Sequence, residues 1–388
     1  MADPIVKYLE SRLDSYLAEL QSVVSLDSYS YDRDDVNRVV DWLEARLSKL
    51  GFQVSRQAQE HTGDNLIASR TGNGVGRVML LGHSDTVFPR GTTAQRPMTF
   101  QGDKILGPGT CDMKGGWLTG IYAVEALDAI GFDAYEHIAF LIVSDEEVDE
   151  RYSIPLIKSA SRGNDAVLTL EAARENGDIV VARKGVRSYT AEAHGHAAHS
   201  GVEPEKGRNA IVALAHQIIA LEKLNDPANG ITVNVGVIEG GRLRNVVPDY
   251  ARLRFEARAF TQHDLDQITD EIFSMFESSA VPGVNFDVTY EQTSPPMPRT
   301  PEIAALEAMT QRIAAELGFE VKGARTGGAA DAAFAAAEGI PALDGLGPVG
   351  GLDHGPDEYI LKSSIVPRTA LLAKLIQAIM SAKQARDK

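Results

Sequence analysis

RVMLLGHSDTVFP, residues 77–89, and LGPGTCDMKGG, residues 106–116, decide how the rest of the chain is read. Val78, Met79, Leu80 and Leu81 form an unbroken apolar run, which predicts a strand covered on both faces of a parallel sheet. Gly82, His83, Ser84 and Asp85 follow at once. His83 and Asp85 stand two apart, so in an extended chain they project to the same side. That spacing suits an imidazole held near a carboxylate, by direct contact or through a shared metal, since metal-bound histidines lean on such a carboxylate for tautomer and basicity. Gly107, Gly109, Gly115 and Gly116 then surround Asp112 and present its carboxylate from a tight loop, just before the apolar helical pattern of Trp117–Ile130. Loops at the carboxyl ends of strands are where open α/β sheets place their sites. His83 alone would read as a surface histidine; a buried strand end carrying His83 and Asp85, followed by the glycine-flanked Asp112, reads as a site.

The same pattern recurs. HIAFLIV, residues 137–143, is a second apolar strand and runs directly into Ser144, Asp145, Glu146 and Glu147. Acids this close raise one another's pKa when buried together, and a divalent cation would relieve the repulsion. AVLTL, residues 166–170, delivers Glu171, and a glycine-rich loop at 351–355 presents His354. Five strand-end or loop ligands, His83, Asp112, Glu147, Glu171 and His354, with one carboxylate shared, suit two metals about 3.5–4 Å apart. Histidine and carboxylate ligands without a thiolate point to Zn²⁺, with Co²⁺ or Mn²⁺ as alternatives.

Length and composition bound the rest. The chain's 388 residues predict two domains. Its net charge of -16 argues against a nucleic-acid partner. The single cysteine, Cys111, excludes an internal disulfide. The first twenty residues read as a charged amphipathic helix with neither a signal-peptide core nor a membrane span, so a cytoplasmic protein without a membrane partner is expected. Helices are expected at 4–24, 34–50, 115–130, 301–317, 331–337 and 363–382, with further strands near 53–55 and 65–69. Between them, 186–193, 231–238, 250–259 and 285–291 alternate as half-exposed strands, and 208–224 and 263–279 are amphipathic helices. The order β-α-β-β-α-β is that of a ferredoxin-like unit. The expected organisation is therefore an α/β domain formed by 1–184 and 296–388, interrupted by an inserted α+β domain at 185–295.

Eight motifs, in order, carry a resemblance over nearly the whole chain: GHSDTV, GPGTCDMKGG, SDEEV, LEAAR, HAAHSGVEPEKGRNAI, RNVVPDYARLRFEARAF, TGGAADAAF and DHGPDE. The chain resembles the dinuclear zinc exopeptidases and amidohydrolases that include glutamate carboxypeptidase, aminoacylase and succinyl-diaminopimelate desuccinylase, with the glutamate carboxypeptidase type the nearest in pattern. The resemblance implies a mixed, mostly parallel sheet with helices on both faces. It implies that His83 and Glu171 hold one zinc, Glu147 and His354 the other, and that Asp112 bridges them. Glu146 becomes the general base and Asp85 the residue orienting His83. In the inserted domain the resemblance implies that His199 stabilises the transition state and that Asn245 and Arg258 bind substrate, Arg258 through the free α-carboxylate.

Arg258 has a second reading from sequence, as the partner of Glu256. Arg325 is a further candidate for the substrate carboxylate. The implied substrate is a small peptide or an N-acyl amino acid. The implied assembly is a homodimer through the inserted domain, with His199 supplied by either subunit. Two alternatives stand beside carboxypeptidase chemistry: an N-acyl-amino-acid deacylase with the same metals, and a metal-holding binding protein without catalysis, against which an intact Glu146 argues. The chain departs from the resemblance at Met113, where many relatives carry a second aspartate, and at Gly328-Ala329-Ala330, where a hydroxyl is lost. A cis peptide after Asp112 is the implied geometry.

Overall fold

The apolar run at 78–81 lies within Arg77–His83, an interior strand of a six-stranded sheet, in a computed structural model that describes residues 3–148 and 151–386. In order across the sheet stand Gln53–Gln57, Asn65–Thr71, His137–Val143, Arg77–His83, Ala166–Thr169 and Ala342–Leu343. The last four are mutually parallel, and the first two add antiparallel strands at one edge. From Arg77–His83 the chain passes through the helix Gly115–Ala129 to reach the neighbour on one side. It then passes through Ile154–Ser161 to reach the neighbour on the other. Right-handed crossovers in opposite directions put the two helices on opposite faces. The packing agrees: Gly115–Ala129 lies with Pro4–Val24 and Lys362–Arg386, while Ile154–Ser161 lies with Ala332–Ala337. Lys362–Arg386 is long and apolar enough to cross a membrane, but its most apolar window is 61% buried within the protein.

This reversal of direction opens a crevice at the carboxyl ends of the strands, the position where doubly wound sheets bind ligands. Register brings those ends level, because His83 pairs with Val143 and Leu81 with Thr169. The segments 144–147 and 170–171 therefore start beside His83. Gly116 lets the first helix begin against the third strand end: a Cβ there would lie 1.9 Å from the carbonyl oxygen of Leu170. A small antiparallel sheet, not expected from the sequence, joins Thr99–Gln101, Lys104–Leu106, Tyr359–Leu361 and Gly350–Gly351. Its strands are two or three residues long, too short to leave a periodic signal. It ties the Asp112 loop to the His354 loop.

The second compact unit comprises Ala182–Pro298 and Thr326–Ala329. The strands of its main sheet run in the order Thr232–Gly240, Tyr250–Ala259, Gly185–His194, Asn285–Ser294, all antiparallel. The helices Ala210–Leu221 and Gln262–Phe276 bury Leu214, Ile272 and Phe276 against Leu253 and Phe255. Thr261 caps the second helix, accepting from the Asp264 N–H at 3.1 Å. The unit is wider than 185–295 because Arg183 and Met297 exchange backbone hydrogen bonds, each 3.0 Å. Residues 326–329, expected with the larger unit, group with the smaller one. Arg183 Nη1 donates to the carbonyls of Gly328 at 3.0 Å and Ala329 at 3.3 Å, and Arg258 Nη1 donates to Gly327 O at 2.9 Å.

Candidate metal centre

The strand ends of the larger unit bring five predicted residues into one cluster. His83 Nε2 lies 2.8 Å from Asp112 Oδ1 and 3.4 Å from Glu171 Oε1. His354 Nε2 lies 3.1 Å from Asp112 Oδ2 and 3.0 Å from Glu147 Oε2. Asp112 thus stands between two imidazoles and offers one carboxylate oxygen to each, and each imidazole faces a second acid of its own. Ligand atoms of His83, Asp112 and Glu147 all fall within 4.8 Å of one another.

Charge balance tests whether cations fit this cluster. Burial works to lower the pKa of His83, but Asp112, Asp85 and Glu171 outweigh it and raise it well above the ordinary value. Asp112 and Glu147 hold His354 up at about 11. For Asp112 burial raises the pKa, yet hydrogen bonds from His354 and His83 win and lower it. Burial, with the charge of Asp112, pushes Glu171 up to about 7. It also raises Glu147, against the hydrogen bond from His354. Glu146 rises well above the ordinary range through burial, against the pull of His83 and helped by Glu171, Asp331 and Asp112. The acids outnumber the imidazoles. Glu147 Oε1 is moreover buried without a partner among the described residues. These are the marks of a site built for positive charge. Its donors are nitrogen and oxygen, for Cys111 turns its Sγ to Asp353 Oδ1 at 3.5 Å. The residues fit a hard or borderline divalent cation such as zinc.

Asp85 stands at the second ring nitrogen of His83 and has a further task in the turn that follows. The nearest partner of His83 Nδ1 is the Asp85 backbone carbonyl at 3.0 Å, with the carboxylate at 3.4 Å. The carboxylate oxygens accept the backbone N–H groups of Glu146 at 3.3 Å and Glu147 at 3.2 Å. Asp85 thus joins the His83 strand end to the Glu146–Glu147 turn.

Sequence reasoning passed over the neighbouring Asp145. Fully buried, it accepts from the N–H groups of Tyr152 at 2.8 Å and Ser153 at 3.2 Å, and pins the far side of that turn. The signal was its place as the first acid of the run, where one acid serves the loop and two serve the site. His83 is braced through its backbone: Met113 Sδ accepts its N–H at 3.2 Å, and Trp117 Nε1 donates to its carbonyl at 2.7 Å. Met113, the departure from the common aspartate, is therefore a buried packing residue. The Asp112–Met113 peptide bond is cis. His354 takes a left-handed backbone, φ 63°, and Arg96 Nη1 secures its loop by donating to Gly355 O at 3.1 Å.

Within the smaller unit, His199 is exposed on a two-stranded ribbon, paired with Val246. Asn245 is beside it, accepting at its carbonyl from the Ser200 N–H at 3.1 Å. Arg258 is engaged elsewhere: Nε and Nη2 form a fork to Glu256, at 2.8 and 3.0 Å. That is the second of its two readings from sequence. Arg325 is exposed on the strand Gly323–Thr326 and is the last residue of its segment in the larger unit.

The profile of peptidase family M20/M25/M40 matches residues 79–378, and the chain belongs to that family. It is accordingly a hydrolase of the metallopeptidase and amidohydrolase class. It is similar to carboxypeptidase G2 of a Pseudomonas species, 28% identical over 94% of this chain and 89% of that one. It is also similar to acetylornithine deacetylase of Proteus mirabilis, 29% identical over 90% of this chain and 91% of the other. Aminopeptidase PepT of Bacillus cereus shares the fold, with a TM-score of 0.81 and 22% identity over 95% of this chain and 98% of that one.

Proposed function

We propose that this chain is a two-zinc exopeptidase of the carboxypeptidase type, cleaving the amide bond next to a free carboxylate in a small peptide. The observation that carries the reading is Asp112 spanning two imidazoles, each paired with a second acid. His83, Asp112 and Glu171 would hold one ion, and His354, Asp112 and Glu147 the other. Bound cations supply Lewis acidity toward water and the amide carbonyl. Glu146, whose proton affinity is raised by burial and neighbouring acids, takes the proton of the attacking water and returns it to the leaving amine.

His199 would supply an oxyanion donor, from its own chain or as the partner subunit's copy. Its Nδ1 accepts from the Gly201 N–H at 3.2 Å, which leaves the Nε2 proton to donate outward. Loss of one such donor costs about 100- to 1000-fold in rate. Arg258 would receive the substrate carboxylate by exchanging it for Glu256, keeping the bidentate geometry that suits a guanidinium. Asn245, on the His199 ribbon, and Arg325 remain candidates for further substrate contacts. A homodimer through the smaller unit is supported by Val237 and Ile238, exposed on the edge strand Thr232–Gly240. Unpaired edge strands with apolar side chains are natural pairing surfaces.

The similarity to a deacetylase favours a second reading, removal of an N-acyl group by the same centre. Comparing kcat/KM across a dipeptide panel and a set of N-acetyl-amino acids separates the two. Faster turnover of the dipeptides is expected, and a preference for acetyl groups would replace the carboxypeptidase assignment. Glu146→Gln is expected to lower kcat by about 100- to 10,000-fold with bound metal unchanged. Undiminished metal-dependent turnover would remove Glu146 from the mechanism.

A further inference from the structure

We propose that Glu358 is the positioning residue of the metal centre, locking the loop that presents Asp112 to the loop that presents His354. The inference rests on the two-metal reading. Glu358 is 1% exposed. Its Oε1 accepts the backbone N–H groups of Cys111 at 2.8 Å and Asp112 at 3.1 Å, and its Oε2 accepts that of Gly109 at 3.1 Å. One buried carboxylate thus gathers three amides of the loop whose side chain stands between the two imidazoles.

Its backbone grips the same loop, for Gly107 N–H donates to the Glu358 carbonyl at 3.3 Å. The next residue, Tyr359, pairs with Leu106. On the other side, Tyr359 and Ile360 pair with Gly351 and Gly350, so the segment bearing His354 closes as a hairpin based on the strand that follows Glu358 directly. Asp112 and His354 are distant in sequence, yet both are referred to this one residue.

A buried carboxylate is an expensive way to satisfy loop amides unless it does something a neutral group would not. Among the described residues the side-chain oxygens of Glu358 accept from backbone N–H groups and from no lysine or arginine. Lys114, which is also buried, feels the charge of Glu358 but donates from Nζ to Leu26 O at 2.6 Å. Charge-assisted bonds to backbone N–H groups are shorter and more directional than neutral ones. Residues that hold a ligand in orientation typically change metal affinity by about 10- to 100-fold when replaced. Glu358 has that geometry toward Asp112.

Two variants of the full chain test this. Glu358→Gln keeps the shape but sets an amide NH₂ where one oxygen was, so at least one loop donor meets a donor. Glu358→Asp keeps the charge but withdraws it by one methylene. Zn²⁺ affinity is measured by chelator competition, the Co²⁺-substituted proteins are compared by visible absorption, and the metal-free proteins are melted. Both variants are expected to fold without metal and to bind Zn²⁺ at least tenfold more weakly, with a changed Co²⁺ spectrum. Wild-type affinity and spectrum in both variants would overturn the inference. So would loss of folded metal-free protein in both, which would assign Glu358 to the fold alone. A wild-type chain that takes up no metal would end the two-metal reading itself, and this inference with it.

Discussion

Loading the protein with Zn²⁺ is expected to expel protons, in a number set by the two imidazoles. His354 lies 3.1 Å from Asp112 and 3.0 Å from Glu147, which hold its pKa at about 11. His83 is pulled down by burial, but Asp112, Asp85 and Glu171 raise it well above the ordinary value. Both rings are therefore held toward the doubly protonated, cationic form in the metal-free protein. Metals take only the neutral ring, so each of two ions displaces one proton. Glu171, raised to about 7, is partly protonated and adds to the count. The expected release is roughly two to three protons per chain near pH 7. The overall affinity for the pair of ions should then rise about 100-fold per pH unit, or about 1.4 kcal/mol for each ion. Titration calorimetry at one pH, in buffers of different ionisation heat, reads the count directly. His354→Gln should lower it by one. A release near zero, or one that His354→Gln leaves unchanged, would refute the paired-imidazole arrangement.

Three other outcomes follow from the same geometry. The folded-state pKa of Glu171 is raised from 4.5 to about 7, so between those values the folded chain holds more proton than the unfolded one and stability falls as pH rises. Metal-free protein should lose about 3 kcal/mol from this group across that window, and urea melts of Glu171→Gln at pH 4.5 and pH 8 should lack that loss. Gly116→Ala would drive a Cβ to 1.9 Å from Leu170 O and should destabilise the protein by about 1–3 kcal/mol, seen as a lower melting temperature; an unchanged melt would mean the helix start can retreat from the strand. Arg258→Lys should raise KM for the preferred dipeptide by about tenfold, since lysine lacks the fork, with kcat little changed. An unchanged KM would leave Arg258 as the partner of Glu256 only.

How much of this was legible without coordinates follows residue by residue. The buried strands announced themselves as continuous apolar runs, and the residue at the end of each run, His83, Glu147 or Glu171, was visible as a polar group where the apolar pattern stops. The inserted unit was legible because alternation and helical period change together. These are local signals, carried by a few neighbours in the chain. The fork of Arg258 was left open because Glu256 and a ligand's carboxylate are equivalent acceptors until geometry chooses. Asp85 was matched to His83 by spacing, and its carboxylate stands 3.4 Å from that ring, but that it also accepts the Glu146 and Glu147 amides left no local signal.

From its sequence alone this protein's class of fold, the order of its two units and the identity of the acids and imidazoles that gather were already determined, because periodicity and strand-end chemistry are written within short windows. Tertiary structure alone decided that Asp112 takes one imidazole on each oxygen, that 326–329 joins the smaller unit, and that Glu358 closes on the loop at 109–112. Those outcomes depend on register, burial and hydrogen-bond satisfaction between segments up to about 250 residues apart, and pairing at that range leaves no trace in local pattern.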